Sequence, residues 1–399
     1  MMRKPMILLL LIVMVISLAG CWSRVELNDV AIVTATAVDL TKDHKIQLSL
    51  QVMKIKMTKG TIENGASSGN ATLLFSEKGE TIMDAYRVLR KKVSRELIFS
   101  HNRVIIIGDD LARSGLSAIL DFFSRHREAR GNTYMMTTKG EARDLLKAAP
   151  IFESFSAEDV REEEKARPIE TASIRDYVYR LLEAGIEPVM SQIQIMPLSD
   201  QQVQESKVSG GFLGLVGLGV FHRDRLVGWL NGQEAECVLW LSNKMKSSIV
   251  TARFPDPKSS GKVSMQVAKS KANFQSKVDG DRIRFDVDIH MEGELFENTT
   301  KWSVKDVHNL KKFEQSFGKE VEKRVLQTVE KLKKQYKSDI VGFGSILHRQ
   351  HKELWNDKWA DQWDQEFPNI EVSVKADVKL SGTGRVNDSM FWKENELKK

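Results

Sequence analysis

The chain has 399 residues, of which 41% are hydrophobic and 29% charged, and its formal net charge is +6. This length predicts two or three domains with packed cores, and the mild, dispersed basic excess argues against a nucleic-acid-binding protein. The two cysteines, Cys21 and Cys237, are too few for a disulfide scaffold, so stability must come from buried apolar side chains.

The first 21 residues have the layout of a secretory signal. Two basic residues at positions 3 and 4 precede an apolar run over 6–18, which is too short to span a bilayer comfortably as a helix. The run ends in Leu18-Ala19-Gly20-Cys21, which resembles a bacterial lipobox. This resemblance implies cleavage after residue 20 and a diacylglyceryl group on the Cys21 sulfur. An uncleaved signal anchor whose end happens to carry a cysteine is the alternative.

Lipidation of Cys21 would tether the mature chain to a membrane outside the cytoplasm. Each buried methylene contributes about 0.8 kcal/mol and stable anchoring takes about two acyl chains, a requirement that one diacylglyceryl group meets. We therefore predict a lipoprotein signal peptide over 1–20. Without its two basic residues the net charge falls to +4, which suits the surface of an anionic membrane.

Residues 21–165 predict an N-terminal α/β domain. Alternating or continuous apolar residues indicate strands, and apolar residues at helical spacing indicate helices. The predicted strands span 31–40, 44–55, 71–76, 102–107 and 133–138, and the predicted helices span 79–96 and 114–126. This alternation is typical of a mixed α/β layer. Residues 150–167 contain Glu162-Glu163-Glu164, which indicates an exposed connection with a solvated charge run.

Residues 166–260 predict a middle α+β domain. A helix is expected over 171–184, a strand over 189–196 and a strand–turn–strand unit over 221–230. Five glycines over 210–219 lack the third glycine of a nucleotide-binding G-x-G-x-x-G loop, so a strand with close backbone approach is the better interpretation. The next helix begins near Asn231 and carries Cys237, which we interpret as a buried thiol.

Residues 261–388 predict a C-terminal antiparallel sheet with long helices. Alternating apolar runs on either side of Asp279-Gly280 predict a hairpin, and a third alternating run over 370–380 predicts a last strand. Apolar residues at steps of three and four predict a helix over 304–336, and its opposite face is basic. Such a helix can lie on a membrane or cover a sheet, and the neighbouring strands favour the sheet.

Few residues of this sequence indicate chemistry. The motifs G-x-x-x-x-G-K-[ST], H-E-x-x-H and G-x-S-x-G do not occur. A helix to about residue 365 carries His348 and His351, which we interpret as surface residues. It also carries a stripe of Trp355, Trp359 and Trp363, which is more often core than ligand site, although stacked tryptophans also form partner surfaces. Asp286, Asp288 and His290 share one face of a predicted strand and are expected to face water. We therefore predict no enzyme, no cofactor and no metal site.

Several sequence patches follow the lipobox-like segment in order and together extend over nearly the whole mature chain. They are Cys21-Trp22-Ser23-Arg24, Glu26-Leu27-Asn28-Asp29, Ser100-His101-Asn102-Arg103-Val104-Ile105-Ile106-Ile107-Gly108, Gly219-Val220-Phe221, Leu226-Val227-Gly228-Trp229-Leu230 and Asp339-Ile340-Val341-Gly342-Phe343-Gly344, with Trp363, Phe367 and the closing strand. In this order the patches resemble the Ger(x)C lipoproteins, the C subunits of spore germinant receptors. The family often has aspartate at the position of Ser23.

The resemblance implies a lipoprotein on the extracytoplasmic face of the spore inner membrane. There it would work with a multi-spanning A subunit and a transporter-like B subunit, both integral membrane proteins, in the response to nutrient germinants. It also implies a multidomain α+β fold without known catalytic residues. The germinant, and whether this subunit contacts it, do not follow from the sequence.

The predicted fold class is therefore α+β, with mixed and antiparallel sheets each covered by helices and a long amphipathic helix on the C-terminal sheet. The predicted function is that of a non-enzymatic receptor subunit acting through protein–protein contacts. Two alternatives stay open at this point. A solute-binding lipoprotein of a transporter would have two similar lobes around a cleft, and an exported hydrolase would have converging His, Asp and Ser side chains.

Overall fold

A computed structural model describes residues 29–58, 61–64, 71–126, 128–148, 150, 153, 155–166, 172–198, 211–254 and 261–382. The predicted signal peptide and Cys21 lie outside these residues. Within the described residues, no helix combines the length and the apolar character that a transmembrane helix requires.

Sixteen strands are assigned in the described residues. They are β1 (Val30–Leu40), β2 (Ile46–Met53), β3 (Ile55–Thr58), β4 (Thr61–Asn64), β5 (Thr72–Gly79), β6 (Glu96–Ile98), β7 (Val104–Gly108), β8 (Tyr134–Thr138), β9 (Ala172–Ser173), β10 (Val189–Met196), β11 (Phe212–His222), β12 (Arg225–Asn231), β13 (Ser248–Arg253), β14 (Lys262–Asp279), β15 (Arg282–Asn298) and β16 (Glu371–Gly382).

The α-helices of the same residues are numbered in chain order. They are α1 (Ile82–Lys92), α2 (Asp109–Ser114), α3 (Ser117–Arg125), α4 (Ala142–Leu145), α5 (Ser156–Ala166), α6 (Ile174–Leu182), α7 (Gly232–Leu241), α8 (Val307–Lys331), α9 (Phe343–Gln350), α10 (Lys352–Leu354) and α11 (Trp363–Glu366). Two π-helical turns, Leu332–Tyr336 and Trp355–Trp359, and a 3-10 turn, Phe367–Asn369, complete the helical segments.

The larger sheet is mixed and has the strand order β12-β11-β10-β8-β7-β1-β2-β5, with β6 beside β1 and β9 beside β8. Its centre is parallel, because β1, β7, β8 and β10 pair in the same direction, and its flanks are antiparallel hairpins. All five residues of β7 are buried, as expected where helices cover both faces. One face packs against α1, α2, α3 and α6, and the other against α4 and α5.

The residues predicted as a separate middle domain contribute strands to both sheets. Strands β10, β11 and β12 complete the larger sheet, so the predicted division between 165 and 166 falls inside one hydrogen-bonded layer. Strand β13 begins the smaller sheet before the predicted division at 260/261. Backbone pairing of β10 with β8 connects strands on the two sides of this predicted division. How many domains the chain forms stays a prediction.

The predicted exposed connection over 150–167 is wrong for most of its length, because Ser156–Ala166 is helical. Successive helix residues point about 100° apart, so the three consecutive glutamates do not share one environment. Glu164 faces the sheet and is 2% exposed, whereas Glu162 and Glu163 are half-buried. Burial raises the pKa of Glu164 to about 8.

The smaller sheet has the order β13-β14-β15-β16. Burial alternates along β14 and β15, so one face is covered and the other is wet. The predicted purely antiparallel arrangement is corrected by β16, which pairs parallel to β15. The chain returns to this edge through a long helical crossover, and such a connection places the next strand parallel to the first.

Helix α8 covers the smaller sheet, as the neighbouring strands predicted. Its apolar face enters the core at Phe313, Phe317, Val321, Val325 and Val329. The predicted helix that follows is broken into α9, α10, the π turn and α11, yet all three predicted tryptophans are buried in the same core. The interpretation of the tryptophan stripe as core is therefore confirmed.

Candidate functional site at the junction of the two sheets

The end of α8 and the π turn after it connect the smaller sheet to the larger one. The Tyr336 hydroxyl donates a hydrogen bond to the Trp229 carbonyl oxygen at 2.7 Å. Its ring lies so close to Gly228 that a Cβ atom there would stand 2.0 Å from Tyr336 Cε1. Beside it, Lys331 Nζ lies 2.8 Å from Glu234 Oε1. Strand β12 and helix α7 are thus held against α8 by both packing and charge.

A buried carboxylate organises the loop that follows. Asp339 Oδ1 accepts hydrogen bonds from the backbone N–H groups of Gly342 and Phe343 at 2.8 and 3.0 Å. Its Oδ2 accepts from the Gly344 backbone at 2.8 Å and from the Trp363 indole at 3.0 Å. Burial raises the pKa of Asp339 to about 6, and the four hydrogen bonds oppose that rise because they favour the ionised form. At neutral pH the group is therefore an anion with four donors.

Two glycines allow the backbone of this loop to contact the backbone of the segment before β10 directly. Gly185 has a φ of +75°, and a Cβ atom at that position would lie 2.5 Å from the Gly344 carbonyl carbon. The Ser345 N–H donates to the Gly185 carbonyl oxygen and the Glu187 N–H donates to the Asp339 carbonyl oxygen, both at 2.9 Å. A side chain at either glycine would force the two backbones apart.

Four charged side chains form a cluster at the edge of this junction. His222, at the end of β11, has Nδ1 3.3 Å from Glu187 Oε1 and Nε2 3.7 Å from Asp364 Oδ2. The Arg223 side chain lies 3.3 Å from Asp364 Oδ2, and its backbone N–H donates to Glu187 at 2.5 Å. The Glu187 carboxylate raises the pKa of His222, which is half-buried. When protonated, His222 has a carboxylate beside each ring nitrogen and can pair the larger sheet with α11.

Glu187, His222 and Asp364 offer possible metal-ligand atoms within 4.8 Å of one another. Such a spacing can occur in a metal site. The two ring nitrogens of His222 face different carboxylates, whereas one metal ion takes a single ring nitrogen. Arg223 also supplies a positive charge at Asp364. The arrangement fits an imidazolium bridging two carboxylates better than it fits a metal ion.

Comparison with known proteins assigns both halves of the chain. The family model described as "Spore germination protein N-terminal domain" matches residues 23–195, and "Spore germination B3/ GerAC like, C-terminal" matches residues 216–384. The chain belongs to the Ger(x)C family of spore germination proteins.

Curated relatives of this Ger(x)C chain match it along nearly its full length. "Spore germination protein KC" of Bacillus subtilis (strain 168) is 28% identical and the match covers 97% of this chain and 98% of the relative. "Spore germination protein B3" of the same organism is 25% identical over 94% of this chain and 96% of the relative. The structure titled "Crystal Structure of the GerBC protein" has a TM-score of 0.57 at 20% identity and covers 87% of this chain and 96% of that one, which shows a shared fold.

The residues singled out in the sequence are distributed over both sheets. Cys237 is buried and burial raises the pKa of its thiol to about 12, so the interpretation as an inert core cysteine agrees with the structure. The His348 ring stacks on Trp355 with centroids 5.6 Å apart. His351 Nε2 lies 3.4 Å from the Ser276 carbonyl oxygen. Neither histidine is part of the junction cluster.

The predicted wet strand face is charged and locally paired. Asp286 lies 2.7 Å from Lys277 and 3.1 Å from Arg284, and these partners hold its pKa well below the usual range. His290 lies 3.7 Å from Asp377, and Asp288 is exposed. These side chains line the uncovered face of the sheet, as the alternation of β15 predicted.

Sequence reasoning missed the junction cluster altogether. Arg223 and Asp364, for example, are 141 positions apart and meet only in the folded chain. Spacing carries no signal over such a separation. The segment Asp339 to Gly344 was the available indication, because an aspartate followed by two closely spaced glycines is a typical way to close a tight loop on a carboxylate.

Proposed function

We propose that this chain is the membrane-tethered C subunit of a spore germinant receptor. The observation that carries the proposal is the ordered match of both family models and of spore germination proteins over more than nine-tenths of the chain, downstream of a lipobox-like sequence. The subunit would act on the extracytoplasmic face of the spore inner membrane. Its proposed partners are the A and B subunits, both integral membrane proteins.

The proposed tether is the diacylglyceryl group on Cys21. One lipidated residue would hold the two-sheet body next to the membrane-embedded partners and raise their effective concentration without any further contact. The two sheets would respond to a partner as a single body, because the backbones at Gly185 and Gly344 are in direct contact at the junction. No catalytic step is part of this proposal.

A pair of cysteine variants tests the tether. In spores that carry Cys21→Ala as the sole copy, we expect the chain to leave the membrane fraction and nutrient-triggered germination to fall by about tenfold or more. The matched control is Cys237→Ala, which removes the other thiol from a buried site at a cost of about 1 kcal/mol and should germinate normally. Membrane retention and normal germination of the Cys21→Ala spores would contradict the proposed tether.

The solute-binding alternative receives less support from the fold. A binding protein with two similar lobes would repeat one sheet topology on either side of a cleft. In the described residues, one sheet has ten strands with a parallel centre, a second has four strands, and β3 and β4 form a third of two strands. The receptor-subunit proposal requires no such internal repeat.

A further inference from the structure

A groove of about 1020 Å³ lies between α8 and strand β13. Strand β13 forms one edge of the smaller sheet among the described strands. One wall of the groove is a continuous face of α8, and the other is formed by β13, the start of β14 and Trp302. The helix wall consists of Lys312, Gln315, Ser316, Lys319, Glu320, Lys323 and Arg324.

The groove has six cationic lining side chains and one acidic one. Glu320 is already engaged, because it lies 2.8 Å from Arg324, and Arg324 also donates to the Thr251 carbonyl oxygen at 3.1 Å. The five other cations form no salt bridge within the described part of the chain. They are Arg253, Lys262, Lys312, Lys319 and Lys323. Closely spaced like charges raise the local potential and favour an anionic ligand.

The shape of the groove indicates what kind of anion it fits. From Lys312 to Arg324 the helix rises about 18 Å, which matches about five or six residues of extended chain. Trp302 adds an apolar edge; its ring packs against the buried Phe254 with centroids 5.4 Å apart, and Lys312 Nζ lies 4.3 Å from the centroid of the Trp302 ring. A flat bilayer cannot enter a trough between a helix and a strand, whereas an extended peptide can lie along it.

The segments of this chain outside the described residues are poor candidates for the occupant. Residues 383–399 contain three acidic and four basic side chains, the connection 255–260 contains one of each, and 199–210 contains two acidic side chains and one basic one. None of these segments has the acidic excess that would balance five cations without a salt bridge. The occupant is therefore expected to come from another protein.

We propose that the groove between α8 and β13 binds an extended acidic segment of a protein partner. Aspartate or glutamate side chains spaced along that segment would pair with the lysines of α8, and an apolar side chain would contact Trp302 and Phe254. This binding would hold whether or not the chain is a receptor subunit, since it depends on the charge and shape of the groove alone.

Fluorescence anisotropy with a designed probe tests the groove. The probe is a fluorescein-labelled octapeptide of alternating glutamate and threonine, and its reference has glutamine in place of glutamate. The detergent-solubilised full chain should bind the glutamate peptide and not the reference. We expect Lys319→Glu combined with Lys323→Glu to weaken binding by about tenfold or more. Equal affinity for the two peptides would overturn the proposal.

A charge-matched variant separates the groove from the overall charge of the protein. Lys91→Glu combined with Lys311→Glu makes the same charge change at exposed lysines that do not line the groove. It should bind the glutamate peptide within about threefold of the unmodified chain. An equal loss of affinity in both double variants would show that peptide binding depends only on the net charge of the protein, which also overturns the proposal.

A lipid comparison separates a protein partner from an anionic bilayer. The full chain is placed in nanodiscs of phosphatidylcholine alone or of phosphatidylcholine with phosphatidylglycerol, and peptide binding is measured in both. If the groove is free for a protein segment, the affinity should be the same in the two lipids. Loss of peptide binding in the phosphatidylglycerol nanodiscs alone would show that the groove faces the bilayer instead.

Discussion

The junction and the groove on α8 differ in how their charged groups are satisfied. At the junction, one carboxylate, Asp339, receives four hydrogen bonds from its own chain, and His222 lies between two carboxylates. In the groove, five cations have no acidic partner among the described residues. The charged groups of the junction therefore have hydrogen-bond donors or oppositely charged groups of the same chain beside them, whereas the five cations of the groove are left to solvent or to a second molecule.

This difference separates a structural role from a binding role. A buried ion with all its partners present is costly to disturb, because removing one partner leaves the others unsatisfied. Exposed cations that repel one another cost little to remove, because each is solvated. Substitutions should thus lower stability at the junction and lower binding at the groove.

The largest effect is expected at Asp339. Asp339→Asn replaces one carboxylate oxygen with an NH2 group, so at least two of the four donors face another donor. We expect a loss of about 3 kcal/mol of unfolding free energy, measured by urea unfolding at neutral pH. Asp288→Asn, the same change at an exposed site, should leave the midpoint unchanged. Equal midpoints for the two variants would mean that the junction does not depend on this carboxylate.

A smaller, pH-dependent effect is expected at His222. The pKa of this group is raised from its ordinary value of 6.5, so its contribution to stability is present below pH 6.5 and is lost as the pH rises through the raised pKa. His222→Gln should therefore lower the free energy of unfolding by up to about 1 kcal/mol below pH 6.5 and by little above the raised pKa.

The control for His222 is His290→Gln, a change at a more exposed imidazole. It should change the unfolding free energy by less than about 0.5 kcal/mol in the same series. If His222→Gln destabilised the protein equally at all pH values, the loss would reflect packing and not the imidazolium bridge between Glu187 and Asp364.

The smallest effect on stability is expected in the groove. Lys319→Glu combined with Lys323→Glu should change the unfolding free energy by less than about 0.5 kcal/mol, although the same variant loses the acidic peptide. Differential scanning calorimetry of the double variant against the unmodified chain measures this. A large drop in unfolding temperature would place these lysines among the structural charges and remove the contrast with the junction.

Much of the fold followed from local pattern. The structure reproduces three local patterns: the alternating strands on either side of Asp279-Gly280, the continuous apolar run of β7 and the apolar face of α8. Glu164 shows where pattern fails, because composition indicated a solvated run and the helix turned one glutamate into the core. The direction of β16 depends on a crossover of many residues, which local alternation does not encode.

The candidate site was less predictable than the fold. The donors to Asp339 are close in sequence, apart from Trp363, but the sequence singled out this loop only as one of the patches that resemble the family. Glu187, His222 and Asp364 come from three separate elements, and only the packing of the two sheets brings them together. The basic face of α8 was visible in the sequence, but the groove also needs β13, whose position depends on the sheet.

The most direct test of the tethered receptor subunit is its isolation from detergent-solubilised spore membranes of the organism that encodes it, followed by mass spectrometry. The account predicts a chain that begins at Cys21 with a diacylglyceryl modification and copurifies with two multi-spanning membrane proteins. A chain that begins at Met1, carries no lipid and elutes alone would contradict it.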